Sequence, residues 1–107
     1  MAESMGALTE AVYYILLSLL QPMHGYGIMQ NVKALSRSRV SMGAGTLYGA
    51  ISTLVEKGWI KPIESSNDER KKEYVITDTG KRVLAIELNR LEELIQNGRQ
   101  ILGGNPS

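Results

Sequence analysis

The chain has 107 residues, a formal net charge of +1, one histidine and no cysteine. A single compact domain is the expectation at this length, with room for a core but not for the deep, walled cleft of a large enzyme. Disulfides, thiol nucleophiles and cysteine-ligated metals are excluded, and His24, alone beside Gly25, is expected to be structural. The longest apolar stretch, residues 11–20, is interrupted by Ser18 and is half the length that spans a bilayer. Glu3 and the lack of a basic leading segment speak against a secretory signal, so a cytoplasmic protein is expected. Charge is spread unevenly: residues 33–82 carry a balance of +4, and the rest a balance of −3. A basic middle with acidic ends suggests one face for a polyanion, or else an ordinary mixed surface.

Thr9 is positioned to cap a first helix running to about Leu20, with Ala11, Val12, Ile15, Leu16, Leu19 and Leu20 at helical spacing. Tyr13, Tyr14 and Leu17 fill much of the remaining surface, and a helix apolar nearly all round must be covered on several sides. That points to a partner subunit. Pro22 breaks the chain, and a second helix is expected over 25–35, followed by a basic turn of Ser36, Arg37, Ser38 and Arg39. A third helix starts near Gly43 and ends at Gly58, burying Leu47, Ile51, Leu54 and Val55. Residues 59–63 and 72–76 then read as two short strands joined by a charged hairpin tip. Thr77 and Asp78 open a last helix that reaches about Ile101, before Gly103, Gly104, Asn105 and Pro106 stop it. The fold class expected is α+β, mostly α: a winged helix-turn-helix over 8–77 and a C-terminal dimerisation helix over 78–102, packed on helix 1.

Three helices followed by a hairpin is an order with a physical use. A helix fits the major groove of double-stranded DNA, the helix before it buttresses it, and a basic hairpin meets phosphate. Removing the buried stripe from the third helix leaves Ala44, Gly45, Thr46, Tyr48, Gly49 and Ser52 outside. Small side chains let a helix sink into a groove, and Tyr48 can meet phosphate or a thymine methyl. Glycine costs nearly 1 kcal/mol in a helix interior, so Gly45 and Gly49 mark a close approach, to DNA or to another helix. Arg37 and Arg39 precede this helix, and Arg70, Lys71 and Lys72 sit at the hairpin; both groups are candidates for phosphate. Met23, Met29 and Met42 read as core fillers, and Trp59 as a core or subunit-contact residue. In the last helix Leu84, Leu88, Leu91, Ile95 and Leu102 form a short heptad seam, with Gly98 at the missing position. The seam suits a homodimer, and a dimer suits a roughly palindromic operator. No phosphate loop, catalytic carboxylate pair or nucleophile motif is present, and neither metal nor cofactor is implied.

Four stretches together resemble the PadR family of bacterial transcriptional regulators. Residues 24–28 (HGYGI) resemble its HGY signature, and 45–48 (GTLY) match its third-helix motif. Residues 54–60 (LVEKGWI) resemble its turn into the wing, while 70–74 (RKKEY) with 77–80 (TDTG) look like its wing strand and last-helix start. The similarity covers about residues 8–102, and ending after one helix resembles the short branch. The resemblance implies a homodimeric repressor relieved by a small, flat, apolar effector held between the first and last helices at the dimer centre. Carried over residue by residue, the implied lining is Tyr14, Ser18, Leu84, Glu87, Leu88 and Leu91. The chain departs from some relatives in having Leu91 near the position of their stacking tryptophan, and Gly49 where many have proline. The expected function is therefore a sequence-specific DNA-binding transcriptional regulator; the alternatives are a winged-helix protein-interaction module that never touches DNA and, with no catalytic constellation behind it, a small enzyme.

Overall fold

The computed structural model describes residues 6–63 and 72–103. Along the chain run helix α1 (Glu10–Ser18), strand β1 (Met23–His24), helices α2 (Gly25–Leu35) and α3 (Ala44–Glu56), strands β2 (Ile60–Ile63) and β3 (Glu73–Ile76), and helix α4 (Asp78–Gly98). A π-helical turn, Arg99–Gly103, extends α4. This is the winged helix-turn-helix with a C-terminal helix that the sequence leads one to expect.

Thr9 caps α1, its Oγ1 accepting from the Val12 N–H at 3.1 Å. The helix stops at Ser18, short of the expected Leu20, because the Leu19 carbonyl is drawn away to accept from the Ile76 N–H of β3 at 2.8 Å. Ile15, Leu16 and Leu19 are fully buried, and Val12, Tyr13, Tyr14 and Leu17 pack partly against the same core. The chain's own elements thus cover most of α1, more than the sequence argument for a partner had allowed; Leu20 remains exposed.

His24 caps α2: its Nδ1 accepts from the Gly27 N–H at 3.1 Å, which is the structural role expected of it. After α2 the chain turns on Arg37 and Ser38, both left-handed at φ 55° and 66°. The buried Ser36 braces this turn by accepting from the Val40 N–H at 2.9 Å. Helix α3 spans a shorter stretch than the expected 43–58 because its end is a Schellman motif. Gly58, at φ +76°, donates to the Val55 carbonyl, and Trp59 donates to the Leu54 carbonyl, both at 3.0 Å. Of the expected stripe, Leu47, Ile51 and Leu54 are buried, while Val55 is half-buried.

The wing is one strand wider than the sequence suggests. Antiparallel β3 is central, pairing with β2 (Ile60 with Ile76, Ile63 with Glu73) and with β1 (Met23 with Tyr74, His24 with Glu73). Two residues are too few to show a period of 2, so β1 leaves no trace in the sequence. Pro62 is tolerated because β2 is an edge strand. The hairpin tip, with Arg70 and Lys71, lies outside the described residues, as do residues 104–107 where the stop to the last helix was expected.

Thr77 fixes the start of α4. Its Oγ1 accepts from the Gly80 N–H at 3.1 Å and donates to the Gly58 carbonyl at 2.6 Å, and its own N–H donates to the Trp59 carbonyl at 3.0 Å. Gly80 is buried so close to this junction that a Cβ would stand 2.2 Å from the Trp59 carbonyl oxygen. The end of α3 and the start of α4 are therefore one rigid joint. Gly80, Val83, Leu84 and Glu87 are the buried residues of α4, and beyond Glu87 the helix leaves the core. The described residues extend over 56 × 35 × 20 Å.

Candidate nucleic-acid interface

Helix α3 packs its inner face, Leu47, Ile51 and Leu54, against α2 and the sheet. Its outer face carries Ala44, Gly45, Thr46, Tyr48, Gly49 and Ser52, all exposed. A Cβ added at Gly45 or Gly49 would meet nothing within 4 Å. The alternative that these glycines serve close packing on another helix of the same chain is thereby removed. Two glycines in an exposed helix cost stability without an internal gain, leaving a smooth, shallow surface that another body can approach.

Tyr48 does not stand free in the middle of that face. Its ring end lies against Gly25, where a Cβ would fall 2.1 Å from the Tyr48 hydroxyl oxygen and 2.6 Å from Cζ. The residue keeps 40% of its surface exposed. The sequence argument placed Tyr48 on the outer face, which is right, but missed that its ring is laid back across the start of α2.

The cations differ in their surroundings. Arg39 is tied to Glu10 of α1 by a hydrogen-bonded ion pair, which holds the guanidinium further above its ordinary value. Arg37 is exposed on the left-handed turn. Lys72 is half-buried just before β3. Lys57 lies over the Trp59 ring, 5.1 Å from its centroid. Trp59 is half-buried against the core, and Met23, Met29 and Met42 pack there as well.

The residues assigned to an effector divide between α1 and α4. Ser18 is buried and committed within the chain: its Oγ donates to the Tyr14 carbonyl and accepts from Asn31 Nδ2, each at 2.8 Å. Glu87 is 4% exposed and accepts from Arg90 Nε at 2.9 Å and Nη2 at 2.7 Å, and from the Leu8 N–H at 3.3 Å. The Arg90 hydrogen bonds lower the Glu87 pKa, against the opposing effect of burial. Leu84 belongs to the chain's own core, whereas Tyr14 and Leu91 are half-buried and Leu88 is exposed. Of the seam, then, Leu84 faces inward and Leu88, Ile95 and Leu102 are open, joined there by Leu94 and Ile101, which the heptad reading left out. Among the described residues there is no cluster of acidic or histidine side chains able to hold a metal, and no helix long and apolar enough to cross a membrane.

A model of the transcriptional regulator PadR-like family matches residues 15–86. The chain belongs to the PadR-like family. It is accordingly a DNA-binding transcriptional regulator. Two solved PadR family regulators are similar throughout. The Eggerthella lenta protein is 26% identical at a TM-score of 0.69, over 88% of this chain and 82% of that one. The Clostridium difficile protein is 28% identical at a TM-score of 0.66, over 86% of this chain and 98% of that one. A transcriptional regulator from Clostridium thermocellum shares the fold at a TM-score of 0.70 and 20% identity, over 87% and 89% of the two chains. Among curated proteins, an uncharacterized 37.1 kDa protein in transposon TN4556 of Streptomyces fradiae is 32% identical over 73 residues, 68% of this chain. This PadR-like chain spans about a fifth of the length of that relative.

Proposed function

We propose that this PadR-like regulator works as a homodimeric, cytoplasmic repressor without catalytic activity. Its two α3 helices enter successive major grooves of a roughly palindromic operator. The observation that carries this reading is the outer face of α3, where Gly45 and Gly49 stand in open space between Ala44 and Ser52. A helix so trimmed can sit deep against base edges, with Thr46 and Ser52 able to hydrogen-bond there. Arg37, Arg39, Arg70, Lys71 and Lys72 supply the phosphate contacts around it.

Dimerisation is supported by the far half of α4. Leu94 is 52%, Ile95 53%, Ile101 84% and Leu102 88% exposed, a series that a lone chain would leave against water. Burying each such side chain contributes about 1.5–3 kcal/mol. Residues 8–77 form the DNA-binding unit and 78–102 the dimerisation helix. A small apolar effector lies between α1 and α4 near the dimer centre, touching Tyr14, Leu88 and Leu91, while Ser18, Leu84 and Glu87 support the walls. It releases DNA by binding better to a dimer whose half-site spacing no longer fits.

The test is a titration of duplex DNA at several salt concentrations. A random pool is first enriched with the native protein, and the enriched duplex is compared with a scrambled duplex of equal length. Specific binding tightens the enriched duplex by about 10³-fold or more over the scrambled one, and log affinity falls with log salt at about 0.9 per phosphate contact. Failure to enrich any sequence, with no salt dependence, would establish the protein-interaction module instead.

A further inference from the structure

We infer that Tyr48 is a positioning residue: its ring, laid across Gly25, sets the angle at which α3 is presented relative to α2 and the wing. The inference rests on the DNA-binding reading and says how that reading is made specific.

Three elements meet at this point. His24 belongs to β1 and pairs with Glu73 of the central wing strand β3. The next residue, Gly25, is the first of α2 and is buried. Tyr48 reaches it from α3. The core contacts of α3, through Leu47, Ile51 and Leu54, lie on the inner side and leave rotation of the helix about that side free of restraint from outside. The Tyr48 ring supplies that outer restraint, near the start of α3, beside the residues placed against DNA. The space it uses exists only because position 25 lacks a Cβ, which would fall 2.1, 2.6 and 3.0 Å from Oη, Cζ and Cε1. Glycine and tyrosine here are one device, separated by 22 positions of sequence.

A residue that merely read a base would act through its hydroxyl and independently of Gly25. A positioning ring acts through its bulk and only with Gly25. The experiment uses the full chain, the duplex enriched by the native protein, and a scrambled duplex. Tyr48→Phe keeps the ring and holds the enriched-to-scrambled affinity ratio within about twofold, whereas Tyr48→Ala and Gly25→Ala each lower it by about tenfold, the equivalent of 1.4 kcal/mol. The double variant Gly25→Ala/Tyr48→Ala loses no more than the worse single variant, because the clash needs both partners. Circular dichroism follows the fold of each.

The inference is overturned if Tyr48→Phe loses as much as Tyr48→Ala, or if the double variant loses the product of the single losses. Should Gly25→Ala not fold, the comparison of Tyr48→Phe with Tyr48→Ala decides alone. A native protein that enriches no sequence would instead remove the DNA-binding reading, and is seen before any variant is made.

Discussion

Gly49 separates what α3 does for the fold from what it does for DNA. It sits inside a 13-residue helix, and a Cβ there would meet nothing within 4 Å. Gly49→Ala therefore leaves the packing of the subunit unchanged, and its effect is the helix-propensity difference of about 0.8–1.0 kcal/mol in favour of alanine. For a domain of this size that corresponds to a rise in Tm of about 4–8 °C. Gly49→Met, with a propensity close to that of alanine, is expected to be folded and at least as stable as the native chain. Its side chain, however, fills the space through which the helix approaches base edges. Loss of one good base contact, about 1–3 kcal/mol, weakens binding to the enriched duplex about 5- to 150-fold. Thermal melts read the first effect, and titration of labelled duplex at one fixed salt concentration reads the second. A lower Tm for Gly49→Ala would show that the face is already packed against something. Native DNA affinity for a folded Gly49→Met would show that α3 does not enter the groove.

Gly80→Ala has the opposite sign: its Cβ would lie 2.2 Å from the Trp59 carbonyl oxygen and 2.6 Å from Ile76 Cγ1, and an overpacking cost of about 1–3 kcal/mol exceeds the propensity gain, so urea melts show a less stable chain. Ile95→Lys leaves the subunit folded, because Ile95 is exposed within it, and sedimentation gives a monomer; a native dimer would take the α4 seam out of the argument. Glu87, whose folded pKa lies below its ordinary value of 4.5, contributes stability that is whole above about pH 4.5 and is lost as pH falls through the depressed folded value. Glu87→Gln removes this dependence, so the acid limb of its stability curve flattens relative to the native protein, and parallel curves would refute the pairing. Glu10→Gln releases Arg39, and the slope of log affinity against log salt then steepens by about 0.9 for each further phosphate that Arg39 neutralises; an unchanged slope would show that Arg39 does not reach the duplex.

What the sequence determined by itself was local. Thr9 and Thr77 announced helix starts because a cap needs only a hydroxyl and an N–H three residues on. Gly58 announced the end of α3 because the left-handed turn favours glycine. The bounds of α2 and the inner stripe of α3 followed from spacing at 3.6 residues per turn. The outer face of α3 was legible for the same reason, by subtraction. What only the tertiary structure decided was which distant residues touch. Ile76 takes the Leu19 carbonyl and shortens α1. Two residues of β1 join the wing because β3 offers them an edge. Glu10 reaches Arg39, and Tyr48 lies back on Gly25. The heptad spacing ran through Leu84, yet the joint of Thr77 and Gly80 on Trp59 fixes α4 so that Leu84 falls within the subunit's core, and the seam opens only beyond Glu87. Periodicity records which face of a helix is apolar; where along its length that face passes from the core to water depends on how the helix is seated, which no run of neighbouring residues encodes.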